Sequence, residues 1–201
     1  MKTMRLHSCF GMAALALFLA MPAGAADTTT TAAARVESRQ KAAASILADI
    51  RQATWIRDGK SAHVIYVFFD PNCPFCHKVY EMLRAPVQRG EVEVRWVPLA
   101  TLMTTSLGKA AAMLEAKDPT EALHRNERGF SQETGNFGGI EEEPLPREAT
   151  LRQLKANLAL LNRTGFDAVP TLLFRTKDGK ADIIRGAPPA ASLEKLLKEL
   201  Q

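Results

Sequence analysis

The chain has 201 residues, 46% of them apolar and 24% charged, with 26 basic and 22 acidic side chains for a formal net charge of +4. That apolar content excludes a disordered chain, and the length suits a single domain with a normal core. Lys and Arg are scattered among acids rather than gathered in a basic run, which excludes nucleic acid as a partner.

Residues 1–26 read as a secretory leader. Lys2 and Arg5 give a basic start, an apolar run follows from Phe10 to Met21, and Pro22-Ala23-Gly24-Ala25-Ala26 supplies small residues for cleavage near Ala25 or Ala26. The run is short for a membrane span. Its removal takes away Lys2, Arg5 and Cys9 and leaves two cysteines, Cys73 and Cys76, with a net charge of +2. An exported chain matures in an oxidising space. A disulfide between neighbours closes a loop too short to restrain much chain. The pair is therefore a poor staple and a better reactive site.

An N-terminal helical segment, 27–53, comes next. It is Ala-rich from Ala32 to Gln52, with Val36, Ala43, Ile46, Leu47 and Ile50 near one face. Thr54-Trp55-Ile56 predicts a short strand stopped at Asp58-Gly59. Val64 to Phe69 predicts a strand buried on both faces. A helix should start at the cysteine pair and run to Ala85, with Pro86 stopping it. Val92 to Val97 is the next strand, which implies a parallel pairing through a crossover. Leu107 to Ala116 is helical. Asp118-Pro119-Thr120-Glu121 is a helix start, with Asp as N-cap, and this helix should end near Gly129. Gly135 to Pro146 reads as a mobile loop. Ala149 to Arg163 is helical, with Gly165 as C-cap. Thr171 to Phe174 and Ala181 to Ile184 form a hairpin around Asp178-Gly179. Ser192 caps a last helix whose apolar stripe is Leu193, Leu196, Leu197 and Leu200. Periodicity alone gives an α/β chain; the order of parallel strands, a helical block, a hairpin and a final helix resembles the thioredoxin pattern, with a helical insertion at about 107–148.

With Cys73 at a helix start, Cys76, Val79, Tyr80 and Leu83 share the apolar face. Cys73, His77, Glu81 and Arg84 lie on the wetter side. Cys73 is thus expected at the solvent and Cys76 behind it. Unpaired N–H groups and the helix dipole favour a thiolate at Cys73. Cys73 then attacks a disulfide and Cys76 resolves the mixed disulfide. Pro74 gives up no helical hydrogen bond in the first turn. His77 is a candidate modulator of the thiolate from the solvent side. Val169-Pro170, just ahead of a strand, is a second candidate feature.

The stretch Trp55 to Lys60, followed by Val64-Ile65-Tyr66-Val67-Phe68-Phe69-Asp70-Pro71-Asn72-Cys73-Pro74-Phe75-Cys76, resembles the catalytic domain of the periplasmic disulfide isomerases, the DsbC/DsbG group. The DsbG branch is nearer, because it also has Pro after the first Cys and an aromatic before the second, here Pro74 and Phe75. The resemblance implies a thioredoxin-like catalytic domain over 54–201, in the periplasm, with no cofactor and no metal. It implies Cys73 as attacking and Cys76 as resolving thiol, and a cis Pro170 facing them, with Val169, Pro170 and Thr171 receiving substrate. Exported proteins with cysteines are the implied clients, and a membrane thiol–disulfide reductant of the DsbD type the implied electron source. Two departures stand out. The family carries an N-terminal dimerisation domain, for which 27–53 is too short, so a monomer or weak dimer is expected. Val169 stands where the family often has Thr, which is similar to the oxidase DsbA and leaves an oxidase as the alternative direction.

Other classes compete for the same residues. Cys73-x-x-Cys76-His77 also fits the c-type haem attachment signature. Zinc would need two further ligands, and His63 and His124 show no paired spacing. A purely structural pair, or a binding module built on the same fold, is the third alternative.

Overall fold

The computed structural model describes residues 25–131 and 133–200. Most of the leader read over 1–26 lies outside the described residues. Five strands form one sheet: β1 (Ile56–Asp58), β2 (Val64–Phe69), β3 (Glu93–Pro98), β4 (Thr171–Arg175) and β5 (Ala181–Arg185), in the order β1-β3-β2-β4-β5. The central strand β2 runs parallel to β3, with Val67 opposite Trp96, and antiparallel to β4, with Val67 opposite Leu172. β1 and β5 complete the edges in antiparallel pairs.

Alternation along β2 builds a core on each face of the sheet. Ile65, Val67 and Phe69 point to one side, where they meet α2 (Pro74–Gln88) and α6 (Ala190–Glu199). Met113 of α3 (Ser106–Glu115) and Leu123 of α4 (Pro119–Arg128) join the same cluster. Tyr66 and Phe68 point to the other side, against Ala43 and Ile46 of α1 (Ala25–Ala48) and Leu160 and Leu161 of α5 (Glu148–Asn162). The thiols therefore sit on the α2 face, at the end of the central strand.

Several boundaries differ from expectation. The first helix begins at Ala25 and ends at Ala48; a 3₁₀ turn, Ile50–Gln52, follows. Ala43 and Ile46 are buried against the sheet, whereas Val36 is exposed. This helix packs back on its own domain, and Arg39 clasps Asp182 of β5 with bonds of 2.6 and 2.9 Å. β1 starts at Ile56, not Thr54, because the Asn157 side chain takes both the N–H and the carbonyl of Thr54, at 2.8 and 3.0 Å. Pro86 does not stop α2. An interior proline loses its own N–H bond and crowds the carbonyl one turn back, yet here the helix runs on to Gln88 with Pro86 and Val87 buried. Ser192 is not a cap: α6 opens after Pro189, whose carbonyl accepts from the Ser192 N–H at 2.9 Å. The stripe of Leu193, Leu196 and Leu200 is buried as expected. Asp118 does cap α4, accepting from the Glu121 N–H at 3.0 Å. The hairpin turns at Gly179, φ 80°.

The segment 135–146, expected to be mobile, is fastened at three points. Lys109 donates to the Phe137 and Gly138 carbonyls at 2.6 and 3.2 Å. The Glu143 N–H reaches the Gly108 carbonyl at 2.9 Å. Gly139 lies against Gly129 so closely that a Cβ on Gly129 would stand 2.3 Å from the Gly139 Cα. Only glycine permits that approach.

Candidate active site

Cys73 is the N-cap residue of α2, and its Sγ accepts from the Cys76 N–H at 3.2 Å. A sulfur in the N-cap acceptor position meets the unpaired amides and the positive end of the helix. Pro74 opens the helix and Phe75 projects outward, 63% exposed. The Cys73 thiol is held below its ordinary range, first by the hydrogen bond from the Cys76 side chain; burial opposes this, and the amides of Cys76 and Phe75 support it. Cys76 is pushed well up, first by burial, then by Cys73, with Glu127 adding a like charge. One thiol is thus suited to attack and the other is kept protonated.

The expectation that Cys73 lies at the solvent is corrected: Cys73 is 3% exposed and Cys76 2%. The cause is the loop ahead of β4. The Val169–Pro170 peptide bond is cis, and the Val169 carbonyl lies 3.7 Å from the Cys73 Sγ. Helix periodicity describes the faces of α2 and says nothing of a loop from the other half of the chain. Thr171, expected to receive substrate, is buried and gives its hydroxyl to the Ala168 carbonyl at 2.7 Å. The Pro170 carbonyl is taken by the Gly186 N–H, also at 2.7 Å. Val169 therefore brings a backbone carbonyl to the sulfur, while Thr171 and Pro170 fix the loop.

His77 does not face Cys73. Its Nδ1 lies 2.8 Å from Glu127 Oε2, and its ring stacks on Phe130 with centroids 4.6 Å apart. The Glu127 carboxylate raises the imidazole above its ordinary range. Three further residues escaped the sequence reading. Asp70 ends β2 and accepts from the Asn72 N–H, the Ser106 hydroxyl and the Thr101 and Leu102 amides, at 2.7–3.0 Å. Asn126 donates to the Pro71 carbonyl at 3.0 Å and to Glu127 at 3.1 Å. Glu127 is 4% exposed. A signal for the last two existed. Ala122, Leu123, Asn126 and Glu127 share one face of α4 by three-and-four spacing, so two polar residues interrupt an apolar stripe.

Residues 51–201 match the Thioredoxin-like domain family. The chain belongs to that family. As a thioredoxin-like domain it is also similar to the thiol:disulfide interchange protein DsbG of Pseudomonas aeruginosa, 32% identical over 152 residues, covering 74% of this chain and 57% of that protein. It is 27% identical to the DsbG of Escherichia coli over 149 residues, covering 72% and 57%. The chain thus spans 57% of the length of these curated relatives. Among solved structures, a linker-deletion variant of Proteus mirabilis ScsC superposes with a TM-score of 0.66 at 22% identity, covering 86% of each chain. The Wolbachia pipientis thiol–disulfide exchange protein α-DsbA2 gives 0.62 at 17% identity, covering 82% of this chain and 97% of that one. At these identities the two structures establish the shared fold.

Proposed function

We propose that this thioredoxin-like domain is an exported, periplasmic thiol–disulfide oxidoreductase of the DsbG kind, exchanging disulfides with cysteine-containing client proteins. The observation that carries the reading is the Cys73 sulfur, which caps α2 and faces the Val169 carbonyl. The Cys73 thiolate attacks a client disulfide, forming a mixed disulfide and releasing one client sulfur as a thiolate. Cys76 gives up its proton and attacks Cys73 Sγ. The client leaves as a second thiolate, and Cys73–Cys76 remains as the disulfide. A membrane reductant of the DsbD type returns two electrons. The backbone at Val169 receives the client chain. Phe75, between the two cysteines, is exposed, and so are Leu102 and Met103 on the loop fastened to Asp70.

Reductase or isomerase is the direction proposed. Val169 favours the oxidase as second reading, and the reduction potential of the pair separates them: a value near the strong oxidants selects the oxidase. The central test is trapping. Cys76→Ala should accumulate mixed disulfides with exported proteins, and Cys73→Ala should accumulate none. Equal trapping by both variants refutes the assigned roles. A purified protein with covalently attached haem would refute the whole reading.

A further inference from the structure

Two consecutive residues of α4 grip the Cys73–Cys76 loop from both ends. Asn126 bonds the Pro71 carbonyl, two residues before Cys73, and Glu127 bonds the His77 ring, one residue after Cys76. α4 belongs to the block between β3 and α5, away from the strand–helix unit that bears the thiols. A buried carboxylate is expensive unless it is bonded and paired. Among the described residues, the Glu127 carboxylate accepts from Asn126 and from a histidine whose charge varies near neutrality. Structural anchoring of α4 would be served by Asn126 alone, and the dithiol chemistry described above makes no use of an acid.

We propose that Glu127 is a positioning residue of the redox site: it holds His77 and sets a negative charge beside Cys76, so that the thiolate resides on Cys73 and Cys76 stays a thiol until the mixed disulfide is resolved. The proposal rests on the oxidoreductase reading and deepens it. The charge acts on the resolving step. In that step Cys76 loses a proton to solvent, its sulfur bonds to Cys73 Sγ, the bond from Cys73 to the client sulfur breaks, and that sulfur departs as a thiolate. A like charge beside Cys76 opposes the proton loss, and imidazolium at His77 offsets that charge. The other charged or titratable groups around the pair, among the described residues, are Cys73 itself, Asp70 from the end of β2, Glu81, Tyr80 and Arg84 on α2, His124 on α4, which bonds Tyr80 at 2.8 Å, and Lys109, which bonds Asn72 at 3.0 Å. Of these, Glu127 and His77 form the one pair in direct contact with each other and adjoining the resolving cysteine in the chain.

The test follows one turnover on the full chain carrying Cys9→Ser, so that Cys73 and Cys76 are its two thiols. Reduced protein is mixed with 5,5′-dithiobis(2-nitrobenzoate); Cys73 takes one thionitrobenzoate, and Cys76 expels it as the coloured thiolate. The rate of the second release, followed by rapid mixing across pH, reports ionisation of Cys76. Glu127→Gln keeps the size of the side chain and removes its charge. It should move the profile toward lower pH and speed release at neutral pH, by roughly tenfold for each unit of displacement. His77→Gln can still donate to Glu127 and carries no charge. It should slow release at neutral pH and leave it unchanged at alkaline pH, where imidazole is uncharged. Loss of packing would not move the two variants in opposite directions. An unmoved profile in Glu127→Gln, or release slowed at every pH, overturns the proposal; the latter would make Glu127 the proton acceptor. Failure of the underlying reading is distinct: wild-type protein would show no second release, or Cys73→Ala would give its single release as fast as wild type gives its first.

Discussion

Two buried carboxylates flank the Cys73–Cys76 loop, and they are held in opposite ways. Asp70, 1% exposed, accepts four hydrogen bonds, three from amides and one from the Ser106 hydroxyl. No partner among them gains or loses a proton near neutrality. Glu127 accepts two, and one comes from an imidazole. The same chemical group thus serves two purposes. Surrounded by neutral donors, it is an anchor that ties the end of β2 to the 101–102 loop and to α3. Paired with a ring that titrates, it makes the electrostatics of the neighbouring thiol respond to pH.

The largest effect should come from breaking the anchor. Asp70→Ala leaves the buried Asn72 amide and Ser106 hydroxyl, and the part-buried amides of Thr101 and Leu102, without their acceptor. A buried donor left unsatisfied costs about 1–3 kcal/mol, so the total loss should be on the order of 3 kcal/mol or more. Urea denaturation reads it as a lower midpoint at unchanged slope. Glu127→Gln should lose about 1 kcal/mol or less, because Gln can still accept from His77. Equal losses in the two variants would erase the distinction between anchor and responder.

A smaller effect separates the support of α4 from its part in the site. Asp118 caps this helix through the Glu121 N–H at 3.0 Å. Asp118→Ala should lower the unfolding free energy by about 1 kcal/mol. It should leave the pH profile of thionitrobenzoate release where it is, since Asp118 lies at the far end of α4 from Glu127. A shifted profile would show that the position of α4 as a whole, rather than the Glu127 charge, controls Cys76.

These two carboxylates also mark where sequence reading succeeds and where it stops. Strand β2, the cysteine pair at a helix start, the capped α4 and the α6 stripe are written in local patterns: an apolar run, a fixed spacing, Asp-Pro-x-Glu, leucines three and four apart. Each depends on residues a few positions away. The burial of Cys73 depends on Val169, 96 residues later, and the partner of His77 is Glu127, 50 residues later. No local period carries such pairings. Asp70 reads as a strand terminator because its four donors come from a turn, a loop and a helix that meet only in the fold. Pro86 shows the reverse failure, a local stop signal overruled by burial of the helix end.

The smallest effect is the dependence of stability on pH carried by His77, and its sign is fixed by the geometry. Hydrogen bonding to Glu127 raises the folded-state pKa of the imidazole above its unfolded value of about 6.5. Folding therefore favours proton binding at His77. Its contribution is fully present below the unfolded value and is lost as pH rises through the folded one. The His77 side chain is 25% exposed, so solvent weakens the pair, yet Glu127 at 4% is screened far less. Compared at each pH, wild type should exceed His77→Gln in unfolding free energy on the mildly acidic side of neutrality, with the gap closing toward alkaline pH. Asp118→Ala, at the far end of α4 from His77's partner, should show a gap from wild type that stays level over the same range. Chemical denaturation at a series of pH values measures both. A His77 gap that widens with rising pH would mean that the imidazole is held neutral in the fold, and the pairing with Glu127 could then supply no charge to offset the carboxylate beside Cys76.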